Sequence, residues 1–170
     1  GVLTKMDIPY AVAGAMACNA HGFRRATTDV DVLLTREGLE AFKGRWLGRG
    51  WVERFPGSKG MRDAIAGVKI DVLLTGEFPG DGEPKPVCFP DPSIASEIRE
   101  EDIAFLPLKD LLELKMASGM TAEHRMGDTS DAMRLIKATG LPPRYGDKLD
   151  PYVRDEYARL WKLAQIDEDY

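Results

Sequence analysis

Apolar positions along the chain change rhythm near residue 107. Before it they come in short runs: Tyr10-Ala11-Val12-Ala13, Val30 to Thr35, Trp51 to Phe55, Met61 to Ile65 and Val68 to Leu74. Runs of this length, bounded by glycine or proline, predict buried strands. The last two predict a hairpin around Ala66-Gly67. Two helices are predicted among the strands. One is a small-residue segment from about Ala15 to His21, stopped by Gly22. The other runs from about Leu39 to Leu47, with Leu39, Phe42 and Trp46 on one face and Gly48 and Gly50 closing it. Segment 76–92 holds five of the eleven prolines and three glycines, and predicts a surface loop with one short strand at Val87 to Phe89.

After residue 107 the period becomes helical. Leu108, Leu111, Leu112, Lys115 and Met116 share one face of a first helix. A second is predicted from about Ser130 to Ala138, capped by Thr129 or Ser130 and stopped by Gly140 and Pro142. A third starts at Asp150-Pro151, with Val153, Tyr157, Leu160, Trp161 and Ala164 as its apolar face. The expectation is an α/β (α+β) chain: a strand-rich core over residues 1–106 and helices over 107–170 packed on it as one compact domain.

Composition narrows the class. The 170 residues are 44% hydrophobic and 30% charged, as in ordinary globular domains. A net charge of −5 disfavours a dedicated nucleic-acid binder, which carries a basic surface, but leaves room for a local phosphate pocket. The two cysteines, Cys18 and Cys88, have no metal-ligand spacing and read as reduced thiols of a cytoplasmic protein. No apolar run reaches the roughly 20 residues of a membrane span.

One pentapeptide occurs twice: Asp31-Val-Leu-Leu-Thr35 and Asp71-Val-Leu-Leu-Thr75. The flanks differ, so the pair reads as two strands under one demand, an acid in front of apolar residues. Alternation places Asp29 and Asp31 on one face of the first strand. Two adjacent carboxylates repel, and a cation relieves them. Mg²⁺ prefers such oxygens together with substrate phosphates. Asp71 would add a third carboxylate if the two strands are neighbours. Gly14 stands where a strand becomes a helix, a turn that lets phosphate approach the backbone. Each feature alone has an ordinary reading: a solvated strand edge, a tight turn, loop residues at Arg25 and Thr27. In combination they point to a metal-bound nucleoside triphosphate. Lys115, inward on its helix, predicts an anionic partner, either Asp128 and Asp131 or a triphosphate. Arg125, Asp128 and Asp131 read as braces between helices, and His21 as a packed helix-end residue.

These residues resemble the nucleotidyltransferase superfamily, the fold of DNA polymerase beta, and within it the AbiEii-type bacterial proteins. The resemblance is carried by Gly14-Ala15, Gly22, Arg25-Ala26-Thr27-Thr28-Asp29-Val30-Asp31, Leu114-Lys115 and Arg125 to Asp131. It covers about residues 8–137. It implies a mixed sheet flanked by helices, with catalytic and metal-holding acids Asp29, Asp31 and Asp71. It implies nucleotide contacts from Gly14, Ala15, Arg25, Thr28 and Lys115, Mg²⁺ or Mn²⁺ as cofactor, and transfer of a nucleoside monophosphate from an NTP. The acceptor stays open among RNA, protein and small molecule, and the resemblance implies an antitoxin or other protein as partner. Two positions depart from the pattern: Ala15 replaces the turn's usual glycine or serine, and Gly127 stands where relatives carry lysine. The alternative is therefore a catalytically degenerate nucleotide-binding or toxin–antitoxin interaction protein. An aspartate-nucleophile phosphohydrolase would place its acids after the hydrophobic run, and a dinucleotide fold would need GxGxxG; neither pattern is present.

Overall fold

The computed structural model describes residues 1–97 and 99–166. A one-turn helix α1 (Val2–Lys5) leads into β1 (Ala11–Ala13), α2 (Gly14–Ala20) and β2 (Asp29–Leu34). Then follow α3 (Arg36–Trp46), β3 (Trp51–Glu53), β4 (Met61–Asp63) and β5 (Lys69–Leu74). Short strands β6 (Arg99–Glu100) and β7 (Ile103–Ala104) precede three helices: α4 (Leu108–Thr121), α5 (Met126–Thr139) and α6 (Pro151–Ala164).

The five longer-range strands form one mixed sheet in the order β1-β2-β5-β4-β3. Only β2 and β5 run parallel; the other pairs are antiparallel. The repeated pentapeptide explains the centre of the sheet. Asp31, Val32, Leu33 and Leu34 pair residue for residue with Asp71, Val72, Leu73 and Leu74. Both strands are flanked on both faces, so both carry continuous apolar residues after the acid.

Alternation along β2 and β5 divides the interior in two. Val32, Leu34, Val72 and Leu74 join Ile8, Leu39, Phe42 and Met61 on the α3 side. Leu33 faces the other way, into a larger core built from α2, α4, α5 and α6 with Leu111, Leu112, Leu135, Ile136, Tyr157 and Leu160. The acids lie on this second face. The C-terminal aromatics are structural: Tyr157 is 1% exposed and donates to the Pro142 carbonyl at 2.8 Å, and Trp161 Nε1 donates to the Leu141 carbonyl at 2.9 Å.

Several boundaries differ from the sequence expectation. Residues 87–89 are not a strand; two backbone bonds tie Phe89 to Gly76 and Glu77, and Pro86 and Pro90 on either side cannot donate to a ladder. Helix α5 begins at Met126, four residues before Ser130, because the 3₁₀ turn Glu123–Arg125 runs straight into it without a side-chain cap. Helix α3 begins at Arg36, where Thr35 Oγ1 accepts from the Gly38 amide at 3.0 Å. The third helix starts as expected: the Asp150 carboxylate accepts from the Tyr152 amide, with Pro151 at the first position.

Candidate active site

The site begins with a strand pairing. Asp31 and Asp71 are register partners on parallel neighbours, so their Cα atoms stand about 4.8 Å apart. Asp29, two residues before Asp31 on β2, projects from the same face. Three carboxylates therefore leave one patch of sheet, beside the β1–α2 turn on Ala13, the register partner of Asp31.

Gly14 makes room for them. Its φ is +59°, and a Cβ built there would lie 1.9 Å from Asp31 Oδ2 and 2.8 Å from Asp31 Cγ. The left-handed conformation alone favours glycine; the Asp31 carboxylate makes the requirement steric as well.

Electrostatics distinguish Asp31 from its neighbours. Burial pushes its carboxyl above the ordinary carboxylate value and Asp71 adds to the rise; Lys115 opposes it, Asp29 adds to it and Arg125 opposes it. Among the described residues no donor hydrogen-bonds the Asp31 carboxylate. Asp71 is held differently: Arg54 donates to its Oδ1 at 2.8 Å. Gly60 lies under that pair, with its Cβ position 3.2 Å from Arg54 Cζ and 3.3 Å from Asp71 Oδ1. Asp29 is exposed, and Thr28 Oγ1 donates to its Oδ1 at 3.5 Å.

The donor chemistry fits a hard divalent cation: three carboxylates on one face, one of them half-buried and without a hydrogen-bond donor. With the side chains as they stand, no three His, Cys, Asp or Glu groups among the described residues converge as a metal cluster. Asp71 is instead paired with Arg54.

A cleft of about 310 Å³ opens over Asp31. Its walls include Gly14 on one side, Phe78 and Phe89 from the proline-rich loop, and Lys115, Ser118 and Arg125 from the helical part. Lys115 is mostly buried and bonds Asp128 Oδ1 and Asp131 Oδ2, each at 2.9 Å. Burial would lower its pKa; the two carboxylates outweigh it and hold the ammonium above its ordinary value. Ser118 Oγ donates to Asp128 Oδ2 at 2.5 Å. Arg25 pairs with Asp131 Oδ2, and its backbone is clamped by Asn19, which donates to its carbonyl at 2.9 Å and accepts from its amide at 2.6 Å.

The site residues expected from sequence thus divide. Gly14, Asp31 and Lys115 share the cleft, and Asp29 and Asp71 share Asp31's sheet face. Arg25 and Thr28 do not line it: the guanidinium of Arg25 is committed to Asp131, and Thr28 to Asp29. Ala15 lies one residue into α2, behind Gly14. Two residues that sequence reasoning passed over line the cleft or hold its acids: Lys59, in the Pro-Gly-Ser-Lys-Gly turn, and Arg54. Arg54 precedes that turn by two residues, a weak signal without the strand pairing.

The fold has a solved counterpart. The fold is similar to that of the aminoglycoside nucleotidyltransferase ANT(2″)-Ia, solved in complex with adenylyl-2″-tobramycin: TM-score 0.55 and 10% identity, over 96% of this chain and 92% of that one. The chain has a nucleotidyltransferase-like fold. At this identity the likeness is one of fold. No protein-family model and no curated protein matches the chain.

Two further features complete the site's surroundings. His21 Nε2 makes a 2.7 Å hydrogen bond with the Leu106 carbonyl at the end of α2, a packing role. Burial pushes the Cys18 thiol up to about 11, so it is an inert core thiol. No helix among the described residues is long and apolar enough to cross a membrane.

Proposed function

We propose that the protein transfers a nucleoside monophosphate from an NTP to an acceptor in a Mg²⁺-dependent reaction, with Mn²⁺ as a substitute ion. The observation that carries this reading is the Asp31–Asp71 register pair, with Asp29 on the same face and the Asp31 carboxylate free of protein donors beneath a cleft. The nucleotidyltransferase-like fold supports it.

Asp29, Asp31 and Asp71 would hold the divalent ions. Those ions, when bound, neutralise triphosphate charge and polarise the transferred phosphorus. The backbone amides of Gly14 and Ala15, at the first turn of α2, would receive a phosphate oxygen; neither depends on a side chain. Asp71 would orient the acceptor and help take its proton. Lys115 would stand at the back of the cleft with its charge matched by Asp128 and Asp131, and Arg25 would keep Asp131, and through it Lys115, in place. A bond forms between the acceptor oxygen and the α-phosphorus, the bond to the bridging oxygen breaks, and pyrophosphate leaves.

The motif from Arg25 to Asp31, with Leu114-Lys115 and Arg125 to Asp131, supports an AbiEii-type affiliation and with it an antitoxin or other protein partner, and the two cysteines without metal-ligand spacing support a cytoplasmic setting. Ala15 favours a second reading, a non-catalytic nucleotide-binding or interaction protein on the same fold, because it removes a hydroxyl from the phosphate turn. Pyrophosphate release separates the two. The protein is incubated with each NTP and Mg²⁺ in the presence of RNA, protein or aminoglycoside acceptors. Release with at least one acceptor supports transfer. Nucleotide binding without release under every pairing supports the second reading.

A further inference from the structure

We infer that Arg125 is the cation that binds the polyphosphate chain of the cleft's ligand, and that the neighbouring ion pairs are arranged to leave it free. The inference rests on the cleft being the substrate site of the proposed reaction, and it names the residue on which the phosphates rest.

The cationic side chains of the cleft are Lys59, Lys115 and Arg125. Lys59 Nζ is bonded to Glu77 Oε2 at 2.7 Å. Lys115 is matched by two carboxylates, so the Lys115–Asp128–Asp131 group carries a formal charge of +1 − 2 = −1 before Arg25 is added. A polyanion gains little from a lysine already outnumbered by carboxylates. Arg25 returns the group to neutrality by pairing with Asp131 from outside the cleft.

Arg125 could have joined this network. It lies at the start of α5, three residues before Asp128, and its charge lowers the carboxyls of both Asp128 and Asp31. In the structure Asp128 accepts instead from Lys115 at Oδ1 and from Ser118 at Oδ2, and Asp131 Oδ2 accepts from Lys115 and Arg25. Among the described residues no side-chain hydrogen bond or ion pair engages the Arg125 guanidinium. The cleft is thus left with one uncommitted guanidinium, close enough to Asp31 to feel its charge. A guanidinium binds phosphate oxygens bidentately and stays charged at every working pH.

The test is calorimetric titration with inorganic tripolyphosphate and, separately, with ATP and Mg²⁺, on the natural protein and on Arg125→Ala, Arg125→Lys and Arg25→Ala. Loss of one charge-assisted contact predicts about tenfold weaker binding of both ligands by Arg125→Ala. Its melting temperature should fall only slightly, because the side chain makes no hydrogen bond or ion pair among the described residues and contributes only its charge near Asp128 and Asp31. Arg125→Lys should recover part of the loss. Arg25→Ala should lower the melting temperature and change tripolyphosphate affinity less than Arg125→Ala does. Equal affinity for tripolyphosphate in the natural protein and Arg125→Ala overturns the assignment of Arg125, even if nucleotide transfer is observed. Absence of tripolyphosphate binding by the natural protein overturns it as well. Tripolyphosphate binding that depends on Arg125, without any binding of ATP, keeps the polyphosphate site and removes the nucleotidyltransferase reading.

Discussion

Gly14 and Asp31 occupy one another's space: a methyl group on Gly14 would stand 1.9 Å from Asp31 Oδ2. The turn that would receive phosphate and the acid that would hold the metal are thereby coupled at one atom. Gly14→Ala forces either the +59° backbone or the carboxylate to move. The backbone alone predicts a loss of about 1–3 kcal/mol. Chemical denaturation should show that loss, and Mg²⁺-NTP titration should show a binding loss larger than that of Ala15→Gly, which keeps the turn open.

Asp31→Asn addresses charge strain. Burial and Asp71 raise the Asp31 carboxyl, so ionisation costs the metal-free fold stability as pH rises through its folded value. The asparagine variant should match or exceed the natural protein in melting temperature at neutral pH, and the difference should shrink in acid. Its Mg²⁺-dependent activity should be lost. A clear fall in apo stability at pH 7 would mark Asp31 as a structural acceptor instead.

The Arg54–Asp71 pair is solvent-accessible, and pairs of this kind are worth 0 to about 1 kcal/mol. Releasing Asp71 from Arg54 should strengthen divalent binding by about two- to fivefold. Arg54→Ala should therefore bind Mn²⁺ more tightly than the natural protein in a spin-resonance titration. Unchanged or weaker binding would mean that Asp71 takes no part in holding the ion.

Lys115 carries the opposite signature. Its removal leaves Asp128 and Asp131 buried without their shared cation, and breaking a buried pair of this type costs about 3–5 kcal/mol. Burial alone would raise Asp128; Lys115, Ser118 and Arg125 reverse this and hold it below the ordinary 3.8. Its contribution is therefore present above the ordinary value and lost as pH falls through the depressed one. In Lys115→Met, burial loses its main opponent, the Asp128 carboxyl rises, and stability should increase as pH falls from 7 to 5. Guanidinium unfolding of both proteins at several pH values measures the reversal.

What the sequence disclosed follows from where the information lies. The Asp31 and Asp71 strands were legible because the same five residues answer the same two-sided burial; that they are neighbours, parallel and in register, is seen only in the structure. The inward Lys115 was legible because helical spacing alone places it on an apolar face. The roles of Arg25 and Arg125 were not. Arg25 sits inside the suggestive motif, but its guanidinium reaches Asp131, 106 positions away, and only the tertiary packing of the segment after α2 reveals this. Arg125 reads as a brace because Asp128 follows it closely; in the fold Asp128 is bonded instead by Lys115 and Ser118 from the preceding helix. The start of α5 was hidden by Gly127, a poor helix former that stands in the first turn.

Transfer of label from NTPs carrying it at the α- or the γ-phosphate tests the central claim most directly. With Mg²⁺ and a competent acceptor, α-label should pass to the acceptor and γ-label should leave as pyrophosphate. Both should disappear in Asp31→Asn and Asp71→Asn, proteins that remain folded. Appearance of γ-label on the acceptor, or α-transfer that survives both substitutions, would contradict the account.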